Sequence, residues 1–156
     1  MNQHNPMKQI ALLFLILFLS SLTHAQSGRI NGYWMTEDDE SQVEIYTDDH
    51  GEVHGRIIWL DEPYEDDGSP KVDDENPEPA LRSQPILGLE IIEGFTYDAS
   101  DQEWSGGSIY DPESGRTYTA YMRLEDRNTL RLRGYVMGMR FLGRTTYWIR
   151  ADGPLD

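Results

Sequence analysis

The residues with chemistry in them are two histidines, a few serines and an unusual density of carboxylates. Beyond residue 25 the only histidines are His50 and His54. The stretch "GGSIYDPESGRTYTA" (Gly106–Ala120) offers Ser108, Asp111 and Ser114 as hydrolase parts. A serine nucleophile needs a strand-turn-helix elbow and a histidine within reach. No G-x-S-x-G occurs, His50 falls in a predicted turn, and His54 sits beside the apolar face of a predicted strand. With no cysteine, thiol chemistry is absent. The two histidines also lack the spacing of transition-metal ligands. A glycosidase uses two opposed carboxyl groups. Glu90 and Glu93 interrupt an apolar run, but their odd separation sends them to opposite faces of a regular strand. These tests assign no catalytic residue, no metal ligand and no cofactor, so the chain reads as non-enzymatic.

The carboxylates concentrate in "DEPYEDDGSPKVDDENPEPALRSQP" (Asp61–Pro85), where nine of the first eighteen residues are acidic against one lysine. Pro63, Pro70, Pro77, Pro79 and Pro85 break any regular element there. Calcium favours such oxygen-rich loops. Yet placing Gly68 at the glycine of a helix-loop-helix calcium site puts Pro63 at its first ligand position. "DDENP" (Asp73–Pro77) remains as an irregular donor set. A connection this long within a small domain is a functional loop or a disordered one. The formal charge of −15 repels nucleic acid and anionic lipid heads, so neither is an expected partner.

The elements that must position these groups are strands. Residues 1–25 read as a signal peptide, with Lys8, an apolar run too short for a span, and Thr23 and Ala25 at the small-residue positions before cleavage. The mature chain, residues 26–156, is then a single domain with no membrane span, periplasmic or secreted. Removing the leader takes away Lys8 and no carboxylate. Without cysteine this domain is held by core packing alone.

Alternating patterns predict strands over Gly32–Thr36, Gln42–Asp48, Val53–Leu60, Leu87–Asp98, Glu103–Asp111, Arg116–Glu125 and Thr129–Met137. A last strand, Arg140–Ala151, is apolar and aromatic on both faces and cannot be oriented from its pattern. Pro112 and Gly115 make "YDPESGRTY" a hairpin turn. Gly106 and Gly107 mark a bend or a close approach to the backbone. About eight strands joined mostly by short turns predict an all-β, antiparallel up-and-down barrel, which leaves no free edges, with a β-sandwich as the alternative.

A barrel of this size holds either packed side chains or one small ligand. Trp34, Trp59, Tyr110, Tyr118, Met122 and Trp148 fall on strands and are the expected liners of a cavity. Arg56, Arg133 or Arg144 would meet the head of an acidic ligand. The partner expected is a small apolar or amphipathic molecule, with Asp61–Pro85 as a flap. The alternative is an envelope interaction module with a filled barrel. Oligomeric state is not legible.

Two resemblances bear on this reading. Gly32-Tyr33-Trp34 matches the G-x-W of lipocalin-type barrels, in which a late-strand arginine packs across the tryptophan; Arg144 and Arg150 are the candidates. More specifically, "GYWMT", "GEVHGRIIWL", "NPEPALRSQPILGLEII", "WSGGSIYDPESGRTY", "LRLRGYV" and "LGRTTYWIR" occur in order across residues 30–150. They resemble the bacterial exported family called domain of unknown function 2147. The resemblance implies a lipocalin-like (calycin-like) periplasmic barrel that binds a small apolar molecule. Gln84 stands where the family often carries an arginine before proline, which puts any role of that arginine in doubt for this chain.

Overall fold

The computed structural model describes residues 28–155. The predicted signal peptide lies outside the described residues. A short 3₁₀ turn, Gly28–Ile30, precedes nine strands: β1 (Gly32–Met35), β2 (Ser41–Thr47), β3 (Val53–Leu60), β4 (Glu90–Asp98), β5 (Glu103–Ser105), β6 (Ser108–Asp111), β7 (Arg116–Leu124), β8 (Thr129–Tyr135) and β9 (Gly143–Ala151). All pairings are antiparallel. The sheet order runs β3-β2-β1-β9-β8-β7-β5-β4, and β3 pairs back onto β4 to close the barrel. β5 and β6 both lie between β4 and β7, so they are two halves of one stave and the barrel has eight.

The break between the halves has a steric cause. A Cβ on Gly107 would lie 2.3 Å from the Glu93 carbonyl oxygen and 2.4 Å from the Phe95 ring. Gly106 adopts a φ of 86°, which only glycine tolerates readily. The stave bends here because the fully buried Phe95 presses against its backbone.

Other irregularities set which side chains face inward. Between β2 and β3 the register pairs Gln42 with Trp59 but Val43 with Ile57, leaving Ile58 as a bulge. Between β3 and β4 it slips again, pairing Gly55 with Ile92 and Arg56 with Glu90. Ile91 and Ile92 are therefore both buried, while Glu90 and Glu93 are both exposed. The irregular strand removes the parity on which their opposite orientation rested. In β9, Trp148 pairs with Leu130 and is buried, whereas Tyr147 and Ile149 are exposed. Arg144, Thr146, Trp148 and Arg150 thus share the inner face, the orientation that the sequence left open.

The long acidic connection is folded. Val72 bridges to Pro85, Asp73 N donates to the Gln84 carbonyl, and Ile86 N donates to the Lys71 carbonyl. Pro79–Leu81 forms a second 3₁₀ turn. The loop leans on the β6–β7 turn so closely that a Cβ on Gly115 would lie 1.9 Å from the Glu75 carbonyl oxygen.

Candidate functional site

The two ends of the barrel differ. At one end the floor is built around Trp34, whose side chain is fully buried and whose indole Nε1 donates to the Ile30 carbonyl at 2.9 Å. The Arg150 guanidinium lies 4.1 Å from the Trp34 ring centroid. It also donates to the carbonyls of Arg29, Asn31 and Arg127 at 2.8–2.9 Å, tying three chain segments over the indole. Burial holds its pKa below the usual arginine value. Gly32 has a φ of 134°, and a Cβ there would approach Arg150 Nη1 to 2.8 Å. The glycine leaves space for the arginine, the arginine covers the tryptophan, and the cation meets the negative face of the ring.

Above this floor, Val43, Ile45, Phe95, Trp104, Ala120, Met122 and Leu130 pack into one core. The core does not fill the barrel. Toward the other end a cavity of about 790 Å³ opens between the β1–β2, β3–β4, β6–β7 and β8–β9 connections. Its inner wall is apolar: Ile57, Leu60, Ile91, Ile109, Leu132 and Trp148, with Tyr110 and Tyr118. Gly134 pairs with Ala120 beside Tyr118, and its missing side chain helps keep the space open.

Among the expected liners, Tyr110, Tyr118, Arg144 and Trp148 border this cavity, and Trp34, Trp59 and Met122 do not. Trp34 belongs to the floor. Met122 is fully buried beside Trp104 and Leu132, in the packed half of the barrel. Trp59 is displaced by the Ile58 bulge. It pairs with Gln42, whose amide binds Gly153 O and Leu155 N of the C-terminal tail on the outer wall, and Leu60 takes the inward position. Ile57 and Leu132 are legible from strand alternation as inward residues, but being aliphatic they carry no mark that separates a cavity liner from ordinary core.

The proposed arginine partners separate in the same way. Arg56 is on the outer wall, paired with Glu44 at 2.7 Å. Arg133 spends its guanidinium on the Arg140 and Phe141 carbonyls and on Thr145 Oγ1, holding the β8–β9 loop in shape. Arg144 alone of the three borders the cavity, exposed at its mouth, with no ion-pair partner among the described residues. Facing it are six carboxylates, Asp38, Glu40, Asp61, Glu62, Asp111 and Glu113. Lys71 is the second cation on the rim and pairs with Glu62 at 3.4 Å. The mouth is therefore electronegative.

One wall of the mouth is anchored by a buried acid. Asp73 is fully buried; its carboxylate accepts the Tyr110 hydroxyl at 2.7 Å and the Asn76 amide at 2.6 Å. Burial, then the bond to Asp73 and its charge, push the Tyr110 pKa up to about 12. Arg82 Nε donates to the Asn76 carbonyl and closes the loop on itself. Of the "DDENP" residues considered as calcium donors, Asp73 and Asn76 are thus engaged with Tyr110 and with each other, while Asp74 and Glu75 are exposed.

Ser108, Asp111 and Ser114 belong to the β6–β7 hairpin, where Asp111 accepts the Glu113 amide and the Ser114 hydroxyl and so closes the turn. His54 lies beside the β2–β3 turn, at the end of the barrel away from the mouth. No serine-histidine pair is assembled among the described residues.

A closed eight-stave antiparallel barrel with a tryptophan-arginine floor and an apolar cup above it is a lipocalin-like barrel. The solved structure of protein HP1028 from the human pathogen Helicobacter pylori, described as belonging to the lipocalin family, has the same fold. It matches with a TM-score of 0.65 at 23% identity, covering 79% of this chain and 83% of that one. Residues 32–150 match the family described as "Uncharacterized protein conserved in bacteria (DUF2147)", and the chain belongs to that family. No curated protein matches it.

Proposed function

We propose that the protein is a non-enzymatic carrier, exported to the periplasm, that holds one small apolar or amphipathic molecule in the barrel. The observation that carries this reading is the cavity: about 790 Å³, apolar within and polar at the rim. Ligand pockets span roughly 300–1,000 Å³ with this distribution of polarity. The walls are strands held in a closed sheet, so they keep their shape without a ligand. The Asp61–Pro85 loop and the β8–β9 loop frame the entrance.

The rim favours a neutral or amine-bearing head group over a simple carboxylate, because six carboxylates face two cations there. Arg144 then serves as a hydrogen-bond donor at the edge of the site. Fluorescent probes with one alkyl tail and either an ammonium or a carboxylate head test this. The ammonium probe is expected to bind at least about tenfold tighter, roughly 1.4 kcal/mol, at low salt, with the gap narrowing as salt screens the rim. Tighter binding of the carboxylate probe would reverse the assignment.

The carrier reading itself is tested by mass spectrometry of protein purified from its own host, native and then after organic extraction. A stoichiometric small molecule released on extraction is the expected result. A bare polypeptide that also binds neither probe would favour an envelope interaction module. A specific feature supports that second reading: the β8–β9 loop displays Met137 at 85% exposure and Phe141 at 75%. Such side chains commonly mark a contact surface.

A further inference from the structure

The outer wall of the β2–β3 hairpin carries a second constellation, remote from the cavity. His54 Nδ1 lies 2.9 Å from Glu90 Oε1. This close contact sets the Glu90 carboxylate against Nδ1 and leaves Nε2 for other partners. Nε2 points toward Asp48 Oδ2 at 3.7 Å and Glu52 Oε2 at 4.0 Å. One donor atom from each of Asp48, Glu52 and His54 lies within 4.8 Å of the others.

The geometry is held from outside the donor set. Asp48 uses its other oxygen, Oδ1, to accept the backbone amides of His50 and Glu52 at 2.9 and 2.8 Å, which fixes the carboxylate and leaves Oδ2 available. The Tyr46 hydroxyl donates to Glu90 at 3.1 Å, and its ring stacks on His54 with centroids 5.8 Å apart. Arg56, the cation on this face of β3, is taken by Glu44. A carboxylate behind a histidine, orienting its other nitrogen toward further donors, is the arrangement found around metal-binding imidazoles.

We propose that Asp48, Glu52 and His54 form a site for a divalent transition ion of the Zn²⁺ class, with Glu90 positioning the imidazole. One imidazole nitrogen and two carboxylates, completed by water, suit such an ion. Calcium is disfavoured, since it takes roughly six to eight oxygens. Bonds of about 2.0–2.2 Å put tetrahedral donors roughly 3.4 Å apart, so the three must close in from separations of up to 4.8 Å. Glu52, half exposed at its side chain, has the freedom to swing inward. The ion would link the β2–β3 turn, through His54 and Glu90, to β4. Spacing alone misses the site because it looks for a second histidine, whereas the remaining donors are acids of the turn.

Calorimetric titration of the untagged chain with ZnCl₂ tests the proposal. One ion per chain is expected, with uptake lost in His54→Gln, weakened at least about tenfold in Glu52→Gln, and retained in His50→Gln. Glu90→Gln, which touches no ion, is expected to weaken binding by about 10–100-fold. Excess CaCl₂ is expected not to displace Zn²⁺. Circular dichroism of each variant confirms that the barrel is intact, and a shift of the His54 Nε2 resonance on titration reports direct ligation. Equal uptake by the native chain and folded His54→Gln, or an unshifted Nε2 resonance, overturns the site. Unchanged affinity in Glu90→Gln overturns the positioning role.

Discussion

Trp34→Ala is expected to lower the unfolding free energy by about 3–5 kcal/mol, read as a fall in the urea midpoint. That is a large share of the roughly 5–15 kcal/mol that stabilises an ordinary domain. The indole is fully buried and its Nε1 is bonded to the Ile30 carbonyl. Its removal leaves a cavity in the floor and takes away the surface on which the Arg150 guanidinium rests. Arg150 keeps its carbonyl partners but loses the ring, so the three segments it joins are held over a void. Trp34→Phe, which retains an aromatic face, is expected to recover part of the loss. Gly32→Ala attacks the same floor from the other side, forcing a side chain toward Arg150 at an unfavourable φ. Because Trp34 does not border the cavity, molecules of Trp34→Ala that remain folded are expected to bind an apolar probe within about twofold of the native affinity. A selective loss of binding with stability intact would place Trp34 in the site instead.

Tyr110→Phe is the second large effect, and it acts at the mouth. The substitution deletes the hydroxyl donated to fully buried Asp73 and leaves that carboxylate with one fewer donor. Hydrogen bonds to charged groups contribute about 1.5–3 kcal/mol, and the loss falls on the segment that frames the entrance. Amide exchange at Asp73 and Ile86, whose N–H groups bond to Gln84 and Lys71 across the loop, is expected to quicken more than exchange in the barrel strands. Release of an apolar probe is expected to quicken with it. Uniform exchange rates in Tyr110→Phe would mean the loop does not depend on this bond. The same group gives a pH signature. Its pKa, raised from 10.0 to about 12 by burial and by Asp73, means that folding favours the neutral phenol. The stabilisation is fully present below about pH 10 and is lost as the pH rises to about 12. The difference between the native protein and Tyr110→Phe should shrink across that interval.

Legibility followed the regularity of the strands. Between β7 and β8 the register runs without a bulge, so the inward positions of Leu130, Leu132, Ala120 and Met122 follow from period two, while Tyr121 on the other face is buried beneath Arg131 and Arg140. In β3 a single bulge at Ile58 exchanges Trp59 for Leu60 at the cavity wall, and no local signal announces the shift. Glu90 and Glu93 differ from the expectation for the same reason. Gly106 and Gly107 signalled a bend, but the cause, the Phe95 ring against Gly107, comes from another strand. Of the two arginines considered for the cap over Trp34, Arg150 occupies it and Arg144 stands at the mouth. Both lie on the inner face of β9, and only closure of the sheet decides which end each reaches.

The amino-acid sequence by itself determined the strand content, the antiparallel order, the family and the acidic surface, because these depend on local periodicity, turn chemistry and composition. Only the tertiary structure decided how far the core fills the barrel, which side chains face the remaining space, and how Asp73 and Tyr110 meet across 37 positions of the chain. Cavities and long-range hydrogen bonds depend on register. Register in turn depends on bulges, whose position is settled by packing between strands rather than by the residues of any one of them.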